Sequence, residues 1–316
     1  SVVMKALQYN PRFFRSIERE GLTLNLASIQ ETNHLNDDDI AYIAGESSGE
    51  NFDRTKEFIE QFKNAKTFGS LIKVGKYDKE FLEERLKYIQ NNPAKDIFEE
   101  ESREKVLTIF PQLIKQADIM IQLYDVLITN PPYMGNRYMN NTLKNFAESN
   151  YSDTKADLFA MFIQYGFSRT KRFGHLGFMT PFVWMFISSY EKLRLNIIDN
   201  KTISSLIQLE YSGFEEATVP ICTFTLRNYK CLLSGEYIKL SDFPGASNQP
   251  LKVREAIENP GVYYRYSTPT EVFIEIPGAP IAYWCTQRIR EIFNKERKLS
   301  EIAEPKTGIQ TGNNDV

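Results

Sequence analysis

The run Asn130-Pro131-Pro132-Tyr133 combines a side-chain amide, two rigid rings and an aromatic face within four residues. An exocyclic amine on a planar ring is a weak nucleophile because its lone pair is delocalised, and acceptors that hold its hydrogens favour a pyramidal, reactive nitrogen. The side-chain carbonyl of Asn130 and the backbone carbonyl of Pro131 can supply two such acceptors, since proline has no competing backbone N–H. Pro131 and Pro132 also fix the backbone in advance, so substrate binding does not have to order it.

Tyr133 adds a flat face on which a flipped base can stack, a contact worth roughly 1–3 kcal/mol by alanine substitution. A given four-residue string with two prolines arises by chance in roughly one chain in a thousand of this length. The alternative is a rigid turn that ends a strand and exposes a tyrosine. The position favours chemistry, because the run follows the buried-strand pattern Tyr124–Thr129 and ligands of open α/β sheets bind beyond the carboxyl ends of strands.

The elements that must position this run alternate between strand and helix. Strands separated by helices indicate a parallel sheet covered on both faces. The last two strands are separated only by residues 211–218, too few for a crossover helix, so this pair is predicted to be antiparallel. The predicted elements are strands at 124–129, 174–180, 203–210 and 219–228 and helices at 155–170 and 190–200.

The rest of the chain divides by composition. Residues 2–17 are typical of a helix interrupted at Pro11, and 22–29 alternate as a strand does. Charge-rich helices are predicted at 53–68, 79–91 and 99–123, whereas 231–296 is proline-rich and predicts a long irregular segment that ends in an amphipathic helix at 281–295. The predicted domains are 1–33 and 119–230 (core), 34–118 (helical insertion), 231–300 (irregular linker) and 301–316 (the start of a further domain).

Composition excludes several classes of site. Three cysteines and two histidines show no metal-ligand spacing, so no metal site is predicted. Free cysteines suit a reducing compartment, which favours the cytoplasm, and no stretch is apolar for the roughly 20 residues that a membrane helix needs. The net charge of −3 carries no global basic signature. One local basic run, 169–175, lies at the end of a predicted helix, where helix-dipole capping is the favoured interpretation.

The run at 130–133 resembles motif IV of amino-methyltransferases, and the order of elements after it is similar to that of gamma-type N6-adenine DNA methylases. Residues 1–14 and 26–31 resemble the segment before the long insertion of type IIG restriction-modification and BREX PglX-like methylases. Residues 307–315 resemble the entry to their target-recognition domain, with Asn314 where an aspartate is usual. The resemblance covers most of the chain.

The resemblance implies a fold, a reaction and site residues. The fold would be α/β: an incomplete Rossmann-like class I methyltransferase sheet with a C-terminal antiparallel hairpin and a helical insertion. The reaction would transfer a methyl group from S-adenosyl-L-methionine to N6 of a flipped adenine in double-stranded DNA, within a restriction-modification or phage-defence system. Asn130, Pro131, Pro132 and Tyr133 would be catalytic, Phe214 would stack on the far side of the base, and Gln30 and Glu31 would contact the cofactor.

Parts of the family pattern are missing. No glycine-rich turn after a first strand is present, and Gln30 stands where an acid is usual. We therefore expect the missing strands and the recognition domain to belong to a longer polypeptide, and we expect no methyl transfer by this chain alone. Without those strands an apolar sheet edge would be uncovered, which is an aggregation liability.

Two alternatives use the same residues differently. The same turn occurs in methylases of glutamine side chains in proteins and of guanine in ribosomal RNA. A third possibility is a non-catalytic DNA-binding or regulatory module that keeps the turn as scaffold. Substitution of Asn130 separates catalysis from scaffold.

Overall fold

The computed structural model describes residues 25–211, 219–297 and 301–304, with isolated positions before residue 25. Contacts divide the chain into two compact units, Ser1–Gln122 and Leu123–Val316, called here the helical unit and the sheet unit. Among the described residues, no helix combines the length and the apolar character needed to cross a bilayer.

The helical unit contains five described helices. Three of them begin at side-chain caps: Asn36 accepts from the amide of Asp39, Asp78 from Phe81, and Asp96 from Phe98 and Glu99, each satisfying amides that lack a partner in the first turn. The helices are α1 (Asp37–Ala44), α2 (Glu50–Glu60), α3 (Ala65–Phe68), α4 (Lys79–Asn91) and α5 (Ile97–Ile121).

A hydrophobic core joins the helices of this unit. Phe58 of α2 packs edge-on against Phe110 of α5, with ring centroids 6.4 Å apart, and Leu82 and Ile89 of α4 are buried in the same core. The prediction of α4 is confirmed at both ends. The predicted helix at 53–68 is instead two helices, because the chain turns at Asn64, whose φ of 56° is left-handed.

The sheet unit contains a six-stranded mixed sheet with the order β1-β2-β4-β3-β5-β6. The strands are β1 (Tyr124–Thr129), β2 (Thr170–Pro181), β3 (Thr202–Gln208), β4 (Ile221–Arg227), β5 (Ser234–Lys239) and β6 (Arg265–Pro269). The described helices of this unit are α6 (Asn141–Asn150), α7 (Leu158–Arg169), α8 (Glu191–Asn200), α9 (Asn248–Glu258) and α10 (Gln287–Lys295).

The central strands confirm the predicted hairpin. β3 and β4 are antiparallel, with Leu206 opposite Phe224, and β4 also pairs antiparallel with β2, placing Phe178 opposite Phe224. β4 therefore separates β2 from β3, which are consecutive along the chain. The sheet is therefore mixed: β1 with β2 and β3 with β5 run parallel, and the other neighbouring pairs run antiparallel.

The segment predicted as irregular, 231–296, forms part of the sheet. β5 pairs with β3 and with β6, and α9 lies between the two strands in sequence. The prolines that suggested irregularity stand where they are tolerated: Pro250 in the first turn of α9 and Pro269 at the end of β6. The predicted helix at 281–295 begins only at Gln287.

The strand predicted at 22–29 is not found at those of its positions that the structure describes. Positions 25–32 are not in a strand, and Leu26 is exposed. The helix predicted at 2–17 and the start of the strand at 22–24 lie largely outside the described residues.

β1 is an edge strand among the described residues, and it pairs with β2 alone. The prediction of a buried strand is wrong in this respect, because Val126 is 55% exposed and Ile128 is 79% exposed. These two side chains lie on the same face, two residues apart. β1 therefore exposes apolar side chains at the edge of the described sheet.

Candidate active site at the carboxyl end of β1

The run Asn130-Pro131-Pro132-Tyr133 directly follows β1, at the end of the sheet where the parallel strand β2 also ends. Thr129, the last residue of β1, lies opposite Phe178 of β2 in a parallel pair. Asn130 and Tyr133 are exposed, whereas Pro131 is buried. The turn is thus anchored through Pro131, while the side chains of Asn130 and Tyr133 are exposed.

The hydroxyl of Tyr133 ties the turn to itself and to β2. It lies 2.8 Å from Oδ1 of Asn130 and 3.0 Å from the backbone oxygen of Met179, both as donor contacts. A tyrosine hydroxyl carries one hydrogen, so the two acceptors share it. An amide oxygen has two lone pairs, so Oδ1 of Asn130 retains one acceptor position for a substrate hydrogen.

The ring of Tyr133 is supported from one side by buried aromatic groups. It packs edge-on against Phe159 of α7, with centroids 6.4 Å apart, and Phe159 in turn lies 5.4 Å from Tyr190. Tyr133 remains 37% exposed. Burial raises the pKa of its hydroxyl, with a smaller contribution from Cys222, so the hydroxyl stays protonated and able to donate at neutral pH.

Asp157 holds the chain immediately after the turn. Its Oδ1 accepts from the amide of Met134 at 3.0 Å and from the amide of Phe159 at 3.2 Å. In return, the amide of Leu158 donates to the backbone oxygen of Met134 at 3.1 Å. Burial raises the pKa of this carboxyl, and hydrogen bonds from backbone amides partly oppose that shift. Sequence reasoning missed this residue, although an aspartate directly before an apolar helix is a cap signature.

The residues expected to contact a cofactor lie in the helical unit. The side-chain nitrogen of Gln30 donates to Oγ of Ser28 at 2.7 Å, and the carboxylate of Glu31 accepts from the amide of Lys66 at 3.3 Å. Both side chains are thus hydrogen-bonded within the helical unit, and their contact with S-adenosyl-L-methionine stays a prediction. Phe214, expected to stack on a base, lies outside the described residues.

Two other groups of polar or charged residues bear on the question of a site. No cluster of three or more metal-ligating side chains occurs among the residues that the structure describes. Of the basic run 169–175, only Arg169 belongs to α7, whereas Lys171 and Arg172 lie on β2. Helix capping therefore does not account for the run. Lys171 is paired with Asp125 at 2.9 Å.

The chain matches known methylases over most of its length. The profile of the Eco57I restriction-modification methylase family matches residues 15–214. The adenine-specific methyltransferase BrxX of Escherichia coli O9:H4 (strain HS) is 35% identical over 226 residues, 71% of this chain and 18% of that protein. The adenine-specific methyltransferase PglX of Lacticaseibacillus casei (strain Zhang) is 33% identical over 207 residues, 64% of this chain and 17% of that protein. The chain thus spans less than a fifth of the length of either relative.

Among solved structures, a type I restriction-modification methyltransferase subunit from Streptococcus thermophilus aligns with a TM-score of 0.37 and 14% identity, over 53% of this chain and 44% of that one.

Proposed function

Because the chain belongs to the Eco57I restriction-modification methylase family, we propose that its 130–133 turn binds the target base of an adenine-specific DNA methyltransferase. The observation that carries the proposal is the geometry of the turn. Its amide oxygen and aromatic ring stand together at the carboxyl end of β1, the amide oxygen with a lone pair still available. Both relatives are adenine-specific methyltransferases by name.

In this proposal two carbonyl groups activate the N6 amine of adenine. Oδ1 of Asn130 accepts one amine hydrogen and the backbone oxygen of Pro131 accepts the other. With both hydrogens held, the nitrogen lone pair turns away from the ring and can attack an electrophilic carbon. As the new N–C bond forms, the bond from that carbon to its donor would break and leave its electron pair on the donor. The nitrogen becomes positive, and the same two carbonyl dipoles stabilise that charge until a proton leaves to water.

Tyr133 would hold the flipped base on its exposed side. The ring is braced by Phe159 on one side, so its remaining surface is presented without free rotation. Phe214 would close the opposite side, as a proposal from the family pattern. Base flipping would bring the adenine out of double-stranded DNA, since the amine is not reachable within the duplex stack.

S-adenosyl-L-methionine is the proposed donor and would supply an electrophilic methyl group. The contact of Gln30 and Glu31 with the donor stays a prediction from the family pattern, because their side-chain bonds within the helical unit do not test it. Our proposal for this chain is therefore restricted to the acceptor side. We further propose that the donor site and a recognition domain come from remaining parts of the same longer polypeptide, and that the protein works in the cytoplasm in a restriction-modification or phage-defence system.

The test is substitution of Asn130→Ala in the methylating protein that contains this chain. Transfer of labelled methyl groups to adenine-containing duplex DNA should fall by about a hundredfold or more, the usual loss when one preorganised polar partner is removed. Asn200→Ala is the matched control, because Asn200 is exposed and only bonds its own helix. Unchanged methylation in the Asn130 variant would remove the turn from the mechanism and favour the scaffold alternative.

The same assay separates the other acceptors. Adenine duplex, glutamine-containing protein and guanine-containing ribosomal RNA are offered to the unaltered protein under identical conditions. We expect transfer to the adenine duplex alone. Transfer to protein or RNA instead would replace the proposed substrate with one of the two alternatives.

A further inference from the structure

Met134, the residue that follows the 130–133 turn, is hydrogen-bonded through both of its backbone groups. Its amide donates to Oδ1 of Asp157 at 3.0 Å, and its carbonyl accepts from the amide of Leu158 at 3.1 Å. The next residue, Gly135, forms an antiparallel bridge with Asp157. The exit of the turn is therefore fixed against the start of α7.

A single carboxylate oxygen makes two of the bonds at this junction. Besides the amide of Met134, Oδ1 of Asp157 accepts from the amide of Phe159 at 3.2 Å and thereby caps α7. Hydrogen bonds to a carboxylate are charge-assisted and stronger than those between neutral groups. Asp157 is half-buried, so solvent screens these bonds less than at an open surface.

The cap also determines where the brace behind Tyr133 lies. Phe159 is the second residue of α7, and its ring meets Tyr133 edge-on with centroids 6.4 Å apart. Asp157 is therefore linked to Tyr133 through two backbone contacts. One is with Met134, the residue that follows Tyr133, and the other is with Phe159, whose ring packs against the ring of Tyr133.

We propose that Asp157 is a positioning residue for methyl transfer, holding Tyr133 and through it Asn130 in the geometry that receives the base. This inference rests on the proposed function of the turn. Asp157 does not contact the base in this proposal, so it is not a catalytic residue. A displacement of about 1 Å at such a site is enough to lower a rate by about a hundredfold.

The competing explanation is that Asp157 is an ordinary helix cap with no influence on the site. The chain provides a matched comparison at Asp96, which caps α5 in the helical unit with the same chemistry. Its Oδ1 accepts from Phe98 at 2.9 Å and from Glu99 at 2.8 Å. Asp96→Ala thus removes a two-amide cap from a helix that does not carry the turn.

The experiment compares Asp157→Ala, Asp157→Asn and Asp96→Ala in the methylating protein. The measurements are kcat and KM for duplex DNA, the melting temperature, and the fluorescence of 2-aminopurine placed at the methylated position, which reports how the flipped base is held. We expect Asp157→Ala to lower kcat by about tenfold to a hundredfold and to change the fluorescence. We expect Asp157→Asn to recover most of kcat, because its amide oxygen can accept from the same two amides.

Two results would overturn the inference. One is a kcat for Asp157→Ala equal to that of Asp96→Ala at the same loss of melting temperature, which would leave only a cap. The other is a kcat for Asp157→Asn as low as that of Asp157→Ala, although Asp157→Asn keeps the melting temperature of the unaltered protein. The essential property would then be the negative charge and not the acceptance of hydrogen bonds from the backbone. Failure of the proposed function is separate, since that is recognised by unchanged methylation in Asn130→Ala.

Discussion

The hydroxyl of Tyr133 donates to Oδ1 of Asn130 at 2.8 Å, so the aromatic ring and the amide of the turn are oriented together. A hydrogen bond of this kind contributes about 0.5–1.5 kcal/mol net. The orientation of the amide is therefore partly determined by the residue three positions later, and the stacking and acceptor roles proposed for the turn are coupled.

Two substitutions of Tyr133 separate the ring from its hydroxyl. Tyr133→Phe keeps the ring and should lower kcat/KM by no more than about tenfold, the loss of one hydrogen bond. Tyr133→Ala also removes the stacking face, for a further loss of roughly 1–3 kcal/mol. Steady-state methylation of duplex DNA measures both. Equal losses in the two variants would show that stacking on Tyr133 contributes nothing.

We expect Arg194 to stabilise the sheet unit by donating hydrogen bonds to uncharged backbone carbonyl groups. Its side chain is buried, and its nitrogens donate to the backbone oxygens of Gly278, Ala279, Trp184 and Ile187 at 2.6–3.1 Å. Arg194→Met keeps most of the aliphatic length but leaves those carbonyls without their donor, which should lower the free energy of unfolding by about 3 kcal/mol or more. Chemical denaturation measures the change.

The control for that variant is Lys192→Met, two residues away on the same helix. Lys192 is 72% exposed and pairs with Asp153 on the surface at 2.8 Å. Exposed ion pairs contribute little to stability, so Lys192→Met should have nearly the same midpoint of chemical denaturation as the unaltered protein. If both variants unfold at the same denaturant concentration, the hydrogen bonds of the buried Arg194 do not stabilise the folded protein.

Gly235 is predicted to tolerate no side chain. A Cβ at this position in β5 would meet the backbone oxygen of Ile203 and would lie 2.8 Å from the hydroxyl of Tyr237. The backbone of β3 cannot move aside without breaking its pairing, so Gly235→Ala should destabilise the protein by about 1–3 kcal/mol. Gly261→Ala is the control, since its nearest neighbour would be the side-chain oxygen of Asn259 at 3.4 Å. Equal melting temperatures would contradict the close approach.

Cys222 and Cys231 should differ in their reaction with iodoacetamide at neutral pH. Burial raises the pKa of Cys222 to about 12, so it should remain unmodified. At Cys231 burial also raises the pKa, but hydrogen bonds from Thr202 and the backbone of Leu233, together with Arg227, outweigh it and lower the value. The thiolate is the reactive form. Peptide mass spectrometry after a brief reaction should find Cys231 alkylated before Cys222, and the opposite order would show that the burial pattern is wrong.

The exposed face of β1 should promote association between chains. Ile128 is 79% exposed on this edge strand, and a charge on such a strand discourages edge-to-edge pairing. Ile128→Lys should therefore reduce the oligomer fraction seen by light scattering without lowering the melting temperature. Ile257→Lys, which removes a 64% exposed isoleucine from α9, should have little effect. An equal reduction in both variants would indicate a general solubility effect.

Local patterns predicted the parts of the molecule that depend on neighbours in sequence. The bounds of β1 and α4 follow from apolar spacing and were confirmed, as was the antiparallel hairpin of β3 and β4, because a short connection leaves no alternative. The placement of the 130–133 turn at a strand end was predictable for the same reason.

Features that depend on distant partners were missed. β5 and β6 were missed because they lie in a proline-rich segment, although β5 contains no proline and β6 has one only at its end, Pro269; a proline at an element boundary and one in a loop look alike in sequence. Asp157 falls within the predicted helix at 155–170, and its contact with the turn could not be predicted, because its bond to Met134 joins residues 23 positions apart. The role of β4 as the strand between β2 and β3 likewise cannot be inferred from their order along the chain.

That strand order has a consequence for how the sheet unit is made. During synthesis β2 and β3 leave the ribosome before β4, yet neither pairs directly with the other. Until residues 221–227 emerge, the edges of β2 and β3 that will pair with β4 have no partner. Phe178 of β2 and Leu206 of β3 then have no residue of β4 opposite them. Among the three neighbouring strands β2, β4 and β3, the last to be translated is thus the one that joins the other two, and a pause or truncation before it would leave two strand edges unpaired at once.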